Sequence, residues 1–361
     1  MAYNTFSFVG KIRKLKNNGY EEREFSGGLI KKTIRFQMVC GDSTQFMDVS
    51  ALVWKDDRKN LIRTYKNVDG GKPEKLDVKW ADRFNPDIIN SVVGYRRFVI
   101  DTDTFAHRKE LEESGLTVEL EASQKKRKEF LHAADFVDYL CKVLNNEKSK
   151  DMVFKATGNI EFSYSEKKNQ FYRNFVPQKI YRVEDNAEQM CSGSMKLYFT
   201  DGAVDDSMAE DAGKILFNAY AQYYDTNIKT NAFTPMALVI GSDAPKAKGF
   251  KRLFGKAEEG EVKELGVAVN FINGAQRVEV TMDMLSDEQK ELIDLGMTTL
   301  EEIRAELGGS VYGERVTETR LSGLMKGYSA GVKDTAYSPD DLVKKPVKVL
   351  EDEVPFDDDD I

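Results

Sequence analysis

Along the first third of the chain, apolar and polar residues exchange every other position. Thr5 to Lys16, Leu29 to Gly41 and Gln45 to Trp54 carry the two-residue period of β-strands with one buried face. Asn17-Asn18-Gly19, Ser26-Gly27-Gly28 and Gly41-Asp42-Ser43 break these runs with turn chemistry. In the second run Ile30, Ile34, Phe36, Met38 and Cys40 share one parity and Lys31, Thr33, Arg35 and Gln37 the other, which predicts one apolar and one cationic face. In the third run Met47, Val49, Ala51 and Val53 form the core parity, so Phe46, Leu52 and Trp54 fall beside Asp48 and Ser50 on the opposite side. Large apolar side chains on a solvated strand face either pack under a loop or are offered to a ligand.

Leu52 to Tyr65 reads as a short helix and Gly94 to Asp101 as a closing strand, which makes residues 1–110 a small Greek-key barrel. Lys125 to Leu144 follows a helical period, with Phe130, Ala134, Val137, Leu140, Cys141 and Leu144 on one stripe, and predicts a helical connector over 111–149. Phe154 to Ser165 and Phe171 to Val183 flank Glu166-Lys167-Lys168-Asn169 as a hairpin. Met195 to Thr200, Leu216 to Tyr224, Thr234 to Gly241 and Leu265 to Thr281 supply further strands, and a second barrel is expected over 150–285. Within it Lys246 to Lys256 reads as a basic loop carrying Phe250 and Phe254. A short helical region, 286–326, shows two capping boxes, Ser286/Gln289 and Thr298/Glu301, with stops at Gly296 and Gly308-Gly309. Residues 327–361 grow polar and proline-bearing and read as a linker and tail. The fold class expected is mainly β, α+β overall, with two barrels in tandem joined by helical connections.

Charge changes this picture in one respect. The chain has 53 Lys plus Arg against 61 Asp plus Glu, net −8, but seven of the acids lie between Leu350 and Ile361, which holds no basic residue. That segment repels itself and has little to bury, so it is expected to be a disordered acidic tail with a Val354-Pro355-Phe356 handle. Residues 1–110 are the reverse: 21 basic against 15 acidic residues, with 14 aromatics. Cations that track phosphates and flat rings that accept unstacked bases are what a single-strand groove needs.

Catalytic chemistry is poorly represented. Gly249 to Ala257, GFKRLFGKA, mimics a phosphate loop with one spacer residue too many and Ala257 in place of the hydroxyl that holds magnesium. Two histidines, His107 and His132, and three scattered cysteines, Cys40, Cys141 and Cys191, match no zinc spacing, so neither metal nor cofactor is expected and the thiols read as reduced. No run of 18 apolar residues occurs and Met1 to Gly10 alternates like a strand, so a cytoplasmic protein without membrane contact is expected.

The outward Phe46 and Trp54, Lys31 and Arg35 on the open strand face, and the terminus EDEVPFDDDDI together resemble a single-stranded DNA-binding protein of the bacteriophage type. The resemblance implies OB-fold-like (oligonucleotide-binding) barrels that coat single-stranded DNA in replication, recombination or repair within a bacterial host, without enzymatic activity. It implies that Lys11, Arg13, Lys31, Arg35, Arg96, Arg97 and Arg173 meet phosphates, and that Phe46, Trp54, Tyr164, Phe171 and Tyr172 stack bases. Replication or recombination partners are expected at the tail residues Glu351, Asp352, Glu353, Phe356, Asp357, Asp358, Asp359, Asp360 and Ile361. Phe356 is internal and Ile361 terminal, a departure from the bacterial pattern of acids followed by a terminal Phe. The rival class is a non-catalytic scaffold of a replication complex or virion, because barrels of this kind host many functions.

Overall fold

The computed structural model describes residues 4–16, 19–225, 228–279, 281–306 and 310–345, the side chains of 276–279, 305–306 and 310–314 excepted. The strands are β1 (Thr5–Lys14), β2 (Tyr20–Phe25), β3 (Leu29–Cys40), β4 (Ser43–Trp54), β5 (Leu61–Lys66), β6 (Glu74–Lys79), β7 (Phe98–Asp101), β8 (Arg127–Phe130), β9 (Val153–Ser165), β10 (Gln170–Arg182), β11 (Met190–Phe199), β12 (Val204–Asp205), β13 (Lys214–Asp225), β14 (Thr230–Gly241), β15 (Lys263–Glu279), β16 (Ser310–Leu324) and β17 (Lys333–Asp334). The helices are α1 (Pro86–Ser91), α2 (Phe105–Glu113), α3 (Thr117–Gln124), α4 (Ala133–Asn145), α5 (Ala247–Phe254), α6 (Asp287–Asp294), α7 (Leu300–Glu306) and α8 (Pro339–Val343).

Strand pairing organises most of these into one large mixed sheet that twice returns on itself. β1 pairs antiparallel with β3 and β9, β3 with β4 and β9 with β10, and β10 meets β4 in parallel at Phe175 and Met47. The order β1-β3-β4-β10-β9 therefore ends where it began. β11-β13-β14-β16-β15 repeats the same order, again with a single parallel step, here Val239 to Arg320. A helix separates the third and fourth strands of each ring, α4 in the first and α5 in the second. The rings share an edge, because β1 pairs antiparallel with β11 from Thr5/Ser194 to Val9/Met190.

Aromatic packing seals that joint. Phe6, Phe8 and Phe175 of the first ring and Phe271 of the second are all buried, with ring centroids 4.6–5.9 Å apart. Each such pair adds about 0.5–1.5 kcal/mol beyond its buried area. The Cys40 thiol is buried here; hydrogen bonding to Cys191 and burial push its pKa far up, so it stays neutral.

Helix α4 buries Ala134, Phe136, Val137, Leu140, Val143 and Leu144, a stripe at helical spacing, against β3, β4 and β7. Its cap is His132, whose Nδ1 accepts the Ala134 N–H at 3.2 Å and so must be unprotonated. Burial, and then the Arg83 charge, hold the His132 pKa below its ordinary value. A depressed pKa contributes stability that is present above the unfolded value of about 6.5 and is lost as pH falls through the folded one. The melting temperature is therefore expected to drop as pH is lowered from 7 to 5, and His132→Asn, which caps without titrating, should flatten part of that drop. An unchanged pH profile in the variant would remove His132 as its source.

Several expected elements are reassigned. Residues 52–65 are not a helix: β4 runs to Trp54, a single 3₁₀ turn covers Asp57–Lys59, and β5 pairs with β6. Of the strand expected at 94–101 only β7 is extended, and it pairs with β8 and β10 rather than closing the first sheet. The helix expected from Lys125 begins only at Ala133, after β8, and α4 packs in the core rather than connecting domains. The hairpin expected to open a second barrel, β9–β10, completes the first ring, so residues 5–182 and 190–324 supply the two rings, not 1–110 and 150–285. Alternation specifies which side of a strand is buried, not which strand lies beside it.

The basic loop at 246–256 is helix α5, with Phe250 and Phe254 buried among Phe217 and Phe199. Of the two capping boxes, Ser286/Gln289 forms as expected, whereas the next uses Thr299 and Glu302, one residue later than read. Residues 328–343 are packed rather than linker: Tyr328 and Leu342 are buried. The tail Glu351 to Ile361 lies outside the described residues. Among those described, no helix is long and apolar enough to cross a membrane, and no cluster of His, Cys, Asp or Glu has metal-binding placement.

Candidate nucleic-acid interface

The β3–β4 hairpin turns in two residues, Gly41 and Asp42, with Gly41 at φ 60°, a conformation that costs glycine nothing. This fixes a register in which Ile34, Phe36, Met38, Met47 and Val49 face the ring interior. The other parity faces out, as alternation demands. Along it Gln37 opposes Phe46, Arg35 opposes Asp48, Lys31 opposes Leu52 and Leu29 opposes Trp54. Arg13 of β1 opposes Gln37, so Arg13, Gln37 and Phe46 form one row across three strands.

This face is open. Phe46 and Leu52 are 50% and 55% exposed. Lys31 is exposed beside Leu52, Phe25 and Leu29, and the Arg23 guanidinium lies 5.0 Å from the Phe25 ring. Arg35 is exposed but paired with Asp48 at 2.7 Å, so it neutralises an acid on the face as well as adding a cation to it. Trp54 is half-buried at the strand end, its ring 5.3 Å from the Lys59 ammonium and its backbone clasped by the Asn60 amide through two 2.8 Å hydrogen bonds.

Beyond Leu52 the face continues into a cleft of about 360 Å³ between β4, β5 and residues 95–98, lined by Leu52, Leu61, Arg63, Tyr95, Arg96 and His132 among others. Tyr95 and Leu61 are exposed, and the Arg96 guanidinium sits 5.3 Å from the Tyr65 ring and 5.9 Å from that of Tyr95. Arg97 instead points to Glu129, at 2.7 Å, and is mostly covered. The sequence reading missed Tyr95, Leu61 and Arg63. The signal for the last two was the alternation in Leu61–Lys66, obscured by reading that stretch as helix.

The remaining expected residues lie elsewhere. Tyr164 opposes Phe171 across β9–β10 with rings 4.8 Å apart, near the turn where Asn169 takes φ 49°. Tyr172 follows, 5.9 Å beneath the Lys168 ammonium. These three belong to the first ring. Arg173 lies between the rings: it donates to Thr319 Oγ1 at 2.9 Å and rests over Phe175 and Phe271, and burial lowers its pKa. It thus contacts both rings, away from the β3–β4 face where Arg13, Lys31 and Arg35 gather, although it was expected among the phosphate contacts. Lys11 is half-buried in β1, between Val39 and Val153. The structure thus gathers Arg13, Lys31, Arg35, Phe46 and Trp54 on one face, adds Arg96 and the Glu129-paired Arg97 along the cleft at its edge, and separates Arg173 from it.

No protein-family model matches the chain, and no curated protein matches it. Among solved structures, a deletion mutant of the single-stranded DNA binding protein from Thermus aquaticus overlays 75% of this chain and 87% of its own, with 9% identity and a TM-score of 0.32. An overlay that loose carries no functional argument.

Proposed function

We propose that the protein binds single-stranded DNA without strong sequence preference, on the outward β3–β4 face of the first ring, as a coating protein of replication, recombination or repair rather than an enzyme. One observation carries the reading: two large apolar side chains of β4, Phe46 and Leu52, stand exposed beside Lys31 and Arg35 of β3 and Arg13 of β1, across the first three strands of a five-strand ring. The ring order, with its parallel step and its helix after the third strand, fits an OB-fold, which takes oligonucleotides on that face. Phe46 and Trp54 stack bases, Arg13, Lys31 and Arg96 meet phosphates, and Tyr95 continues the path into the adjacent cleft. The acidic tail recruits protein partners and competes with DNA for the same cations.

Titration with labelled oligo-dT against duplex of equal length at graded salt tests this. With Arg13, Lys31 and Arg96 as phosphate contacts, the log–log slope of affinity against salt is expected to be about −2, at about −0.7 per contact on a single strand. A chain ending at Leu350 should bind more tightly at low salt. Absence of binding to oligo-dT with or without the tail would leave the scaffold reading instead.

A further inference from the structure

The second ring has the same outward face, and the chain covers it. On β11, β13 and β14 the inward residues are Leu197, Phe199, Ala219, Ala221, Leu238 and Ile240, which places Tyr198, Tyr220 and Phe233 outside. Outward aromatics on β13 and β14 stand on the strands that correspond to β3 and β4. Yet Tyr198 and Phe233 are buried, and what buries them is the segment from β17 to α8. Tyr337 meets Tyr198 edge-on at 5.5 Å and Phe233 edge-on at 5.0 Å, and its hydroxyl accepts from Gln222 Nε2 at 2.6 Å. Leu342 is buried beside them.

We propose that this outward face of the second ring is a second site for single-stranded DNA, and that residues 333–343 form a built-in cover which leaves when the strand enters. The inference rests on the reading of the β3–β4 face as a DNA site. The cover makes one kind of contact an oligonucleotide makes, an aromatic ring against the outward rings of Tyr198 and Phe233, and it is pinned at its start by Asp334, 2.9 Å from the Lys263 ammonium, which Glu261 also meets at 2.8 Å. Its attachment is slight. β17 adds two residues to the edge of β15, Thr335 donates one hydrogen bond to the Val262 carbonyl, and α8 is five residues long. Segments held by so few backbone bonds open locally without unfolding the rest. In the first ring nothing among the described residues covers Phe46 or Leu52 in this way.

The test uses the full chain in two forms. Tyr337→Ala with Leu342→Ala releases the cover; Lys263→Cys with Asp334→Cys, whose side chains already meet, holds it shut when oxidised and frees it when reduced, so each form controls for the lost lysine. The length of poly-dT occluded per chain is read at stoichiometric concentrations. The released chain is expected to occlude more nucleotides than the oxidised chain, by the roughly 4–16 that one ring covers, and reduction should recover the difference. Equal lengths in oxidised and reduced chains overturn the proposal even if the alanine variant fails to fold. If wild type binds through Phe46 and these lengths are equal, only this proposal falls; if no form binds poly-dT, the reading of the first ring falls with it.

Discussion

Replacing Phe46 by alanine is expected to weaken oligo-dT binding by roughly 5- to 150-fold, the equivalent of about 1–3 kcal/mol for one stacked base, and adding Leu52→Ala should weaken it further. Thermal stability should barely move. Both side chains project from the outer parity of β4 and half of each is in solvent, so their truncation opens no cavity and leaves no polar group unpaired. Surface changes of that kind stay within about 0.5 kcal/mol. Fluorescence anisotropy and a thermal melt on the same preparation decide the matter. Undiminished affinity would move the DNA path off this face, whereas a large fall in melting temperature would make Phe46 a packing residue. Arg35→Ala is an uninformative choice beside it, because the substitution also unpairs Asp48.

Gly10→Val is expected to abolish folding or to cost at least about 3 kcal/mol, a large part of a typical domain's 5–15. The reason is the edge switch in β1. Thr5 to Val9 pair with β11, Lys11 to Lys14 pair with β3, and Gly10 is where one neighbour gives way to the other while β9 stays paired on the opposite edge. A Cβ there would lie 2.1 Å from the Val39 carbonyl oxygen and 2.9 Å from Cys40 Sγ. Backbone on both sides is held by strand pairing, so there is no flexible side chain to yield. Gly249→Ala is the contrasting case. It lies in α5, where an added Cβ meets nothing within 4 Å, and alanine should stabilise the chain by about 0.5–1 kcal/mol. Urea denaturation of both variants checks the pair; a Gly10→Val chain as stable as wild type would mean that β1 does not make the switch.

How legible the molecule was follows the range of the interactions involved. The faces of β3 and β4 could be read residue by residue, because alternation is a local signal and a buried parity leaves its mark on every second position. That was enough to place Phe46 and Lys31 on the outer side of their strands. The hairpin β9–β10 was equally plain as a hairpin, yet it was placed in the wrong ring, and with it Tyr164, Phe171, Tyr172 and Arg173. Helix α5 was hidden for a different reason: its lysines and arginine dominate the composition, while Phe250 and Phe254, one turn apart on the same side, are what fix it to the core.

By itself the sequence determined β1, β3, β4, β9, β10, β11, β13, β14 and β15, the buried side of β3 and β4, and the cationic, aromatic character of their outer face; it missed β5, read as helix, and β16, which fell in a stretch read as a short helical region. Only the tertiary structure decided the ring closures, the equivalence of the two rings, the place of Arg173 between them, and the covering of the second face by residues 333–343. These depend on pairs such as Thr5 with Asn159, Val239 with Arg320 and Tyr337 with Tyr198. A strand's period follows from its own backbone geometry, but its neighbour is chosen by burial and hydrogen bonding summed over the whole chain, and no local stretch of residues carries that sum.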